Sequence, residues 1–333
     1  MNHPLLIQMI NSYPIPGCSE PKEFREVVEI DSLKLELVGL TYTHNSNVEI
    51  TASAAGFDPT IYTRAYFELI ERTSLFKAEQ ERSSFFLENG GRTEKVEISR
   101  EEVFPESNES THWRYAKSNG VAAHLNWNKA CHAAALELKE RHALLTSWYG
   151  NLPPQLLGTP SEFAGSPLTN IYDIRHYWFK GSRPVVGVFG FPKKKDHPLF
   201  FGFGAHETLE GATQHAVQET YQRLGFTWGE EVLSEVPEAA PTPLYHLNYY
   251  LCPEKVGLIQ RWLVGNLPDR KISRLKSQPT REIRFVDLTP EGLVGKCAVV
   301  KAICDDYMPL SFGNWHPWIG PELGLDLFPH PIS

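Results

Sequence analysis

Across 333 residues, 41% are hydrophobic and 22% charged, an ordinary balance for a globular protein of one large domain or two closely packed ones. A net charge of −8 argues against a general nucleic-acid or anionic-membrane partner. No apolar run is long enough for a transmembrane helix and the N-terminus is a poor signal peptide, so a cytoplasmic location is expected. The five cysteines are scattered without a Cys-x-x-Cys pair, which points away from a disulfide framework or a zinc site.

In chain order, residues 1–31 read as a proline-punctuated lead-in loop with a short helix. Leu33 to Tyr42 alternates as a half-buried strand does, and Val48 to Ser53 is a second strand candidate. A helix is predicted from Pro59 to Phe76, then a short strand from Lys95 to Ile98. After the Ser118-Asn119-Gly120 turn, apolar residues at Ala130, Ala134, Leu138 and Leu145 recur at helical spacing and predict a helix over Asn128 to Leu145. Asn151 to Thr169 reads as a long Pro- and Gly-rich surface loop. Pro184 to Phe191 and Pro198 to Phe203 read as a buried strand pair around Lys193-Lys194-Lys195. A helix over Leu209 to Leu224 follows, then a linker-like Val236 to Pro243. A helix from Pro253 to Val264 and strands Glu282 to Leu288 and Cys297 to Cys304 complete the series. The basic clusters Lys193 to Lys195 and Arg270 to Lys276 read as solvated loops, and Trp148-Tyr149, Trp315 and Trp318 as packing residues.

Three of these helices carry one device: Glu68, Glu71 and Arg72; Glu137, Glu140 and Arg141; Glu219, Gln222 and Arg223. Carboxylates three residues apart share a helix face, where like charges repel unless a cation or donor sits between them. A solvated Glu/Arg face is the plain reading of any single occurrence. Magnesium takes oxygen ligands, a few of them carboxylates beside phosphate oxygens, so three such faces together suggest a carboxylate-rich metal or Mg-nucleotide site. Ser118-Asn119-Gly120 and Gly202-Phe-Gly204-Ala-His206 are small-residue turns suited to nucleotide oxygens, with His206 placed to face phosphate. From pattern alone, a carboxylate-metal hydrolase of another kind stays open.

The blocks SAAGFDPTIYTRAYFELIER, SNGVAAHLNWNKACHAAALELKER and GFGAHETLEGATQHAVQETYQR resemble, in order, three successive nucleotide-binding motifs of the YcaO family. The likeness spans roughly Val48 to Gln222, and Pro329-His330-Pro331 resembles the family's proline-rich tail. The resemblance implies a YcaO-type α/β fold, with mixed sheets and three Glu-bearing helices around a nucleotide site. It implies a single YcaO-like domain over 1–333, with a motif core at 48–225 and a C-terminal part at 226–333. The implied cofactors are ATP and Mg2+. Position by position, Glu68, Glu71, Glu137, Glu140 and Glu219 fall on the metal- and nucleotide-binding carboxylates, Gln222 on the third-helix glutamine, and Ser118 and Asn119 on the nucleotide-contacting turn. Arg223, Lys129 and His206 complete the expected nucleotide set, and the C-terminal carboxylate, at Ser333, falls where the family's cyclodehydratases use it in catalysis.

The implied activity is ATP-dependent activation of peptide backbone amides, giving azolines by cyclodehydration, or thioamides and amidines, in maturation of a ribosomally made peptide. About fifty residues precede the first motif, which leaves little room for a leader-binding domain. The expected partners are therefore a precursor peptide and a ThiF-like or leader-binding protein, with a homodimer left open. Two positions depart from the family pattern. Lys129 stands where an acidic residue is usual, about 12 Å along the axis from Glu137, and His215 stands where arginine is usual. Lys129 contacting phosphate in place of a metal, a degenerate site in a non-catalytic scaffold subunit, and compensation by a neighbouring residue are the three readings of these departures.

Overall fold

The computed structural model describes residues 3–87, 96–105, 112–229, 232–267, 281–319 and 327–332. It divides into two compact units. The first comprises Met1–Pro105, Lys117–Leu138 and Glu282–Cys304; the second comprises Glu106–Ala116, Lys139–Arg281 and Asp305–Ser333. One boundary in the sequence, between Leu138 and Lys139, falls within the residue range of the helix Trp127–Gly150.

In the first unit, the alternating stretch forms strand Leu33–Thr43, at the centre of an antiparallel sheet with Lys22–Ile30 and Glu49–Gly56. Val38, Leu40 and Tyr42 oppose Ala54, Ala52 and Ile50, so one face of the sheet is apolar. That face packs in one core with Ile61, Ala65, Leu69 and Ile70 of the helix Thr60–Glu81. Each fully buried Leu or Ile side chain there contributes about 1.5–3 kcal/mol. A five-stranded antiparallel sheet runs in the order Val96–Ile98, Phe85–Leu87, Arg284–Asp287, Ala298–Ile303, Val121–His124.

The lead-in reading of residues 1–31 needs correction. Besides helix Pro4–Ser12, it contains the nine-residue strand Lys22–Ile30, joined to its neighbour by a tight turn with Asp31 at φ 52. This is an edge strand whose Glu23, Arg25, Glu26 and Glu29 mask the apolar alternation that would have revealed it. Two helices run past their predicted ends, to Glu81 and Gly150, because no Pro or Gly interrupts them earlier.

In the second unit, strands Phe200–Ala205, Val185–Pro192, Tyr172–Phe179 and Gln155–Gly158 form an antiparallel sheet in that order. The helix Leu209–Thr227 packs on Phe200–Ala205 so closely that a Cβ at Gly202 would lie 2.3 Å from the Thr220 nitrogen, and one at Gly204 2.5 Å from the Ala216 nitrogen. These glycines sit within a strand, which corrects their reading as a nucleotide turn. Trp148 and Trp262, edge-to-face at 5.2 Å, centre an aromatic core with Phe179 and Phe189. The presumed surface loop 151–169 also needs correction: it holds strand Gln155–Gly158, and its Phe163 and Leu168 are buried. Lys193 to Lys195 are exposed as expected, while the cluster at 270–276 lies outside the described residues.

The tail is pinned within the same unit. His330 donates through Nε2 to the Ser311 carbonyl at 2.8 Å, His246 donates through Nδ1 to the His330 carbonyl at 3.0 Å, and the Tyr250 hydroxyl donates to the Pro329 carbonyl.

Candidate functional site

In the first unit the helix Thr60–Glu81 and the N-terminal part of the helix Trp127–Gly150 carry Glu68, Glu71 and Glu137, all half-buried. Glu68 is held at both oxygens: Oε2 accepts the Ser53 N–H at 3.1 Å and Oε1 pairs with Arg72 at 2.5 Å. Glu71 Oε1 accepts the Ala123 N–H at 2.7 Å. Burial pushes the Glu71 carboxyl up to about 8; the Ala123 hydrogen bond opposes this, and the negative charges of Glu137 and Glu68 add to it. A cation would relieve the repulsion that Glu137 and Glu68 exert on Glu71.

The turn before strand Val121–His124 is built tightly. Gly120 has φ +74, and a Cβ there would lie 2.7 Å from the Ala302 carbonyl oxygen, so glycine is required. Ser118 is exposed and Asn119 half-buried, with the Asn119 Oδ1 buried and without a hydrogen-bond partner among the described residues. Beneath the turn lies a residue that sequence reasoning missed. Lys301 is 4% exposed on strand Ala298–Ile303, and its ammonium donates to the carbonyls of Lys117 at 2.6 Å and Asn119 at 3.0 Å. Burial pulls its pKa down to about 8, and the charge of Glu137 counteracts this. A lone lysine inside the apolar run AVVKAIC was the available signal.

Lys129 is exposed on the first turn of its helix, where its N–H is capped by Asn126 Oδ1 at 3.0 Å. It makes His124 harder to protonate, secondary to burial of that ring.

The second unit holds the remaining predicted residues. Glu140 is buried, which corrects the plain reading of a solvated face; burial raises its carboxyl, against the opposing effects of Arg141 and of the Ala205 N–H that it accepts. His215 donates through Nδ1 to the Ala205 carbonyl at 3.1 Å, so Ala205 ties both helices to the end of strand Phe200–Ala205. The His206 ring packs edge-on to His215 at 5.4 Å, and its Nδ1 accepts the Thr208 N–H at 3.1 Å. Glu219 is exposed and Gln222 half-buried on the helix Leu209–Thr227. Arg223 stacks its guanidinium 4.1 Å over the Phe201 ring, and burial lowers its pKa to about 9. Ser333 lies outside the described residues.

The family model described as YcaO cyclodehydratase, ATP- and Mg2+-binding, matches residues 92–306. The chain belongs to the YcaO family. ATP and Mg2+ are the cofactors of the family so described. No curated protein sequence matches the chain. Among solved structures it is similar to YcaO from Methanopyrus kandleri bound with AMPPCP and Mg2+, with TM-score 0.60, 18% identity, and 90% of this chain and 87% of that chain covered. It is also similar to the E. coli microcin synthetase McbBCD complex, with TM-score 0.56, 13% identity, and 86% and 88% covered. A heterocyclase in complex with substrate and cofactor matches with TM-score 0.52 and 14% identity over 90% of this chain but 51% of its own length. At these identities the likeness is one of fold, and it bears out the α/β YcaO-type architecture.

The residues of the first unit fit the cofactors. Hard carboxylate oxygens in mutual repulsion suit Mg2+, and the unpartnered Asn119 Oδ1 and adjoining turn suit a polar ligand. Among the described residues, no three His, Cys, Asp or Glu side chains form a closed metal cage. Mg2+ does not demand one, since it keeps waters and takes one or two carboxylates beside phosphate oxygens. Among the described residues, no helix is long and apolar enough to cross a membrane.

Proposed function

We propose that this protein uses ATP and Mg2+ to activate backbone amides of a ribosomally made precursor peptide, by azoline-forming cyclodehydration or the related formation of a thioamide or amidine. The observation that carries this reading is the half-buried group Glu68, Glu71 and Glu137, in a chain whose family is described as an ATP- and Mg2+-binding cyclodehydratase. An amide oxygen is a poor leaving group, and ATP when bound supplies the phosphoryl group that makes it a good one.

The chain's own contribution is positioning and neutralisation of charge. Glu71 and Glu137 are the proposed Mg2+ carboxylates. Glu68, engaged by Arg72 and the Ser53 N–H, holds its helix against strand Glu49–Gly56 and offers its remaining lone pairs. Ser118 and Asn119 face nucleotide oxygens through the turn. Glu140, Glu219, Gln222 and His206 are proposed for the same cofactors on the motif resemblance alone, and Arg223 supports its helix from the Phe201 ring. The role of the Ser333 carboxylate rests on the resemblance of the tail. A partner protein, ThiF-like or leader-binding, delivers the peptide; the microcin synthetase McbBCD is a multi-protein complex, also known with pro-MccB17 bound.

Lys129 and His215 favour a second reading, a scaffold subunit without turnover. The first places an exposed ammonium where the motif has an acid, and the second commits its Nδ1 to the Ala205 carbonyl. Calorimetric titration with ATP and Mg2+, on the protein alone and with its partner, separates the two. Binding that weakens in Glu137→Gln supports the enzyme; no binding in either sample sinks it. Lys129→Glu changes the Mg2+ dependence if the lysine stands in for a cation.

A further inference from the structure

The turn Lys117–Gly120 has all of its carbonyls tied down by its own unit. Lys117 and Asn119 oxygens accept from Lys301 Nζ, the Ser118 oxygen accepts the Val121 N–H at 3.1 Å, and the Gly120 oxygen accepts the Ala302 N–H at 2.7 Å. Among the described residues, the N–H groups of Ser118, Asn119 and Gly120 make no hydrogen bond. A turn whose acceptors are all satisfied from below and whose donors are open is polarised to receive an anion. Two of the four ties come from one buried ammonium, and that ammonium lies within electrostatic reach of Glu137. A buried cation is costly unless it is hydrogen-bonded and compensated, so its presence in an otherwise apolar strand calls for an account.

We infer that Lys301 is a positioning residue for the nucleotide: its ammonium clamps the Lys117–Gly120 turn with the backbone donors open. The inference rests on the ATP reading above and adds to it a residue outside all three motif blocks. Lys301 touches neither nucleotide nor metal. It acts through the turn.

The test uses the full-length protein and two readouts. Lys301→Met keeps the length and removes the charge and both donors. Hydrogen exchange of the Val121 and Ala302 amides, which bond the Ser118 and Gly120 carbonyls of the turn, is expected to speed up at least tenfold without ligand, and calorimetry with Mg-ATP is expected to show at least a tenfold rise in Kd. Lys301→Arg, which keeps charge and donors, is expected to recover most of both. Val286→Ala, a core change in the same sheet, is the stability control and is expected to leave Kd unchanged. Should Lys301→Met not fold, Lys301→Gln, which removes the charge and keeps a neutral amide NH2, carries the same comparison. Unchanged Kd with faster exchange would overturn the inference, leaving a structural clamp. Equal loss of affinity in Val286→Ala would overturn it too. Failure of the wild type to bind Mg-ATP would remove the ATP reading itself and this role with it, and the exchange data would then report the clamp alone.

Discussion

Glu71 Oε1 accepts the backbone N–H of Ala123 at 2.7 Å, so one carboxylate both joins the helix Thr60–Glu81 to strand Val121–His124 and contributes charge to the group with Glu68 and Glu137. These two duties are separable. Glu71→Gln keeps an acceptor for Ala123 and removes the charge, whereas Glu71→Ala removes both. The glutamine variant is expected to melt at or above the wild-type temperature without Mg2+ and to bind Mg-ATP at least tenfold more weakly by calorimetry. The alanine variant is expected also to lose about 1–3 kcal/mol of stability, because the Ala123 N–H loses its partner. A glutamine variant that binds Mg-ATP as tightly as wild type would remove Glu71 from the metal set.

Gly202 is expected to tolerate no side chain. A Cβ there meets helix backbone at 2.3 Å, with the Glu219 carbonyl carbon at 2.7 Å, so nothing can swing aside. Gly202→Ala is expected to cost on the order of 2–3 kcal/mol or more, read as a shifted urea midpoint. Wild-type stability in this variant would mean the strand and helix are less closely packed than described.

Four histidines of the second unit make stability fall on acidification. Burial lowers His142, His246 and His316 to about 4 and holds His330 well below its ordinary value. The tautomers are set by neighbours: Nδ1 of His316 accepts the Trp318 N–H while its Nε2 donates to the Pro309 carbonyl. Because these folded pKa values lie below the unfolded one, the unfolded chain takes up protons first. The stabilisation is therefore complete above about pH 6.5 and is lost progressively as pH falls towards 4, by roughly 2 kcal/mol at pH 5 for each of His142, His246 and His316. Calorimetric melting between pH 7 and pH 5 is expected to show a fall of about 10 °C or more. His246→Gln is expected to start less stable and to show a shallower slope; an unchanged slope would exclude His246 from the effect.

One buried phenol helps to hold the tail. Tyr250→Phe removes the hydroxyl that donates to the Pro329 carbonyl and is expected to cost about 1–3 kcal/mol, with faster exchange of the Ile332 amide as its local sign. If melting and exchange are both unaffected, the tail is held by His330 and His246 alone.

The three Glu-bearing helices were legible because their signals are local: apolar residues at helical spacing, and a Glu followed three residues later by Glu or, in the third helix, Gln, and then Arg. The motif blocks pointed to the YcaO family before any coordinates, and the family match over 92–306 agrees. Strand Lys22–Ile30 was not legible, since its outward charges outweigh its alternation and only its pairing with Leu33–Thr43 defines it. Gly202 and Gly204 showed their small size in sequence, but small size alone does not tell a phosphate turn from a strand pressed onto a helix.

By itself, then, the amino-acid order determined the secondary elements that bury one periodic face, because each is written in spacings within a single segment, and the resemblance of three motif blocks in order pointed to the family and its cofactor class. Only tertiary structure decided what each polar group faces. It placed Glu140 inside, spent both oxygens of Glu68 on Ser53 and Arg72, and put the ammonium of Lys301 beneath a turn some 180 residues earlier in the chain. Burial and partner set the charge state and cost of such groups, and both come from segments distant in sequence.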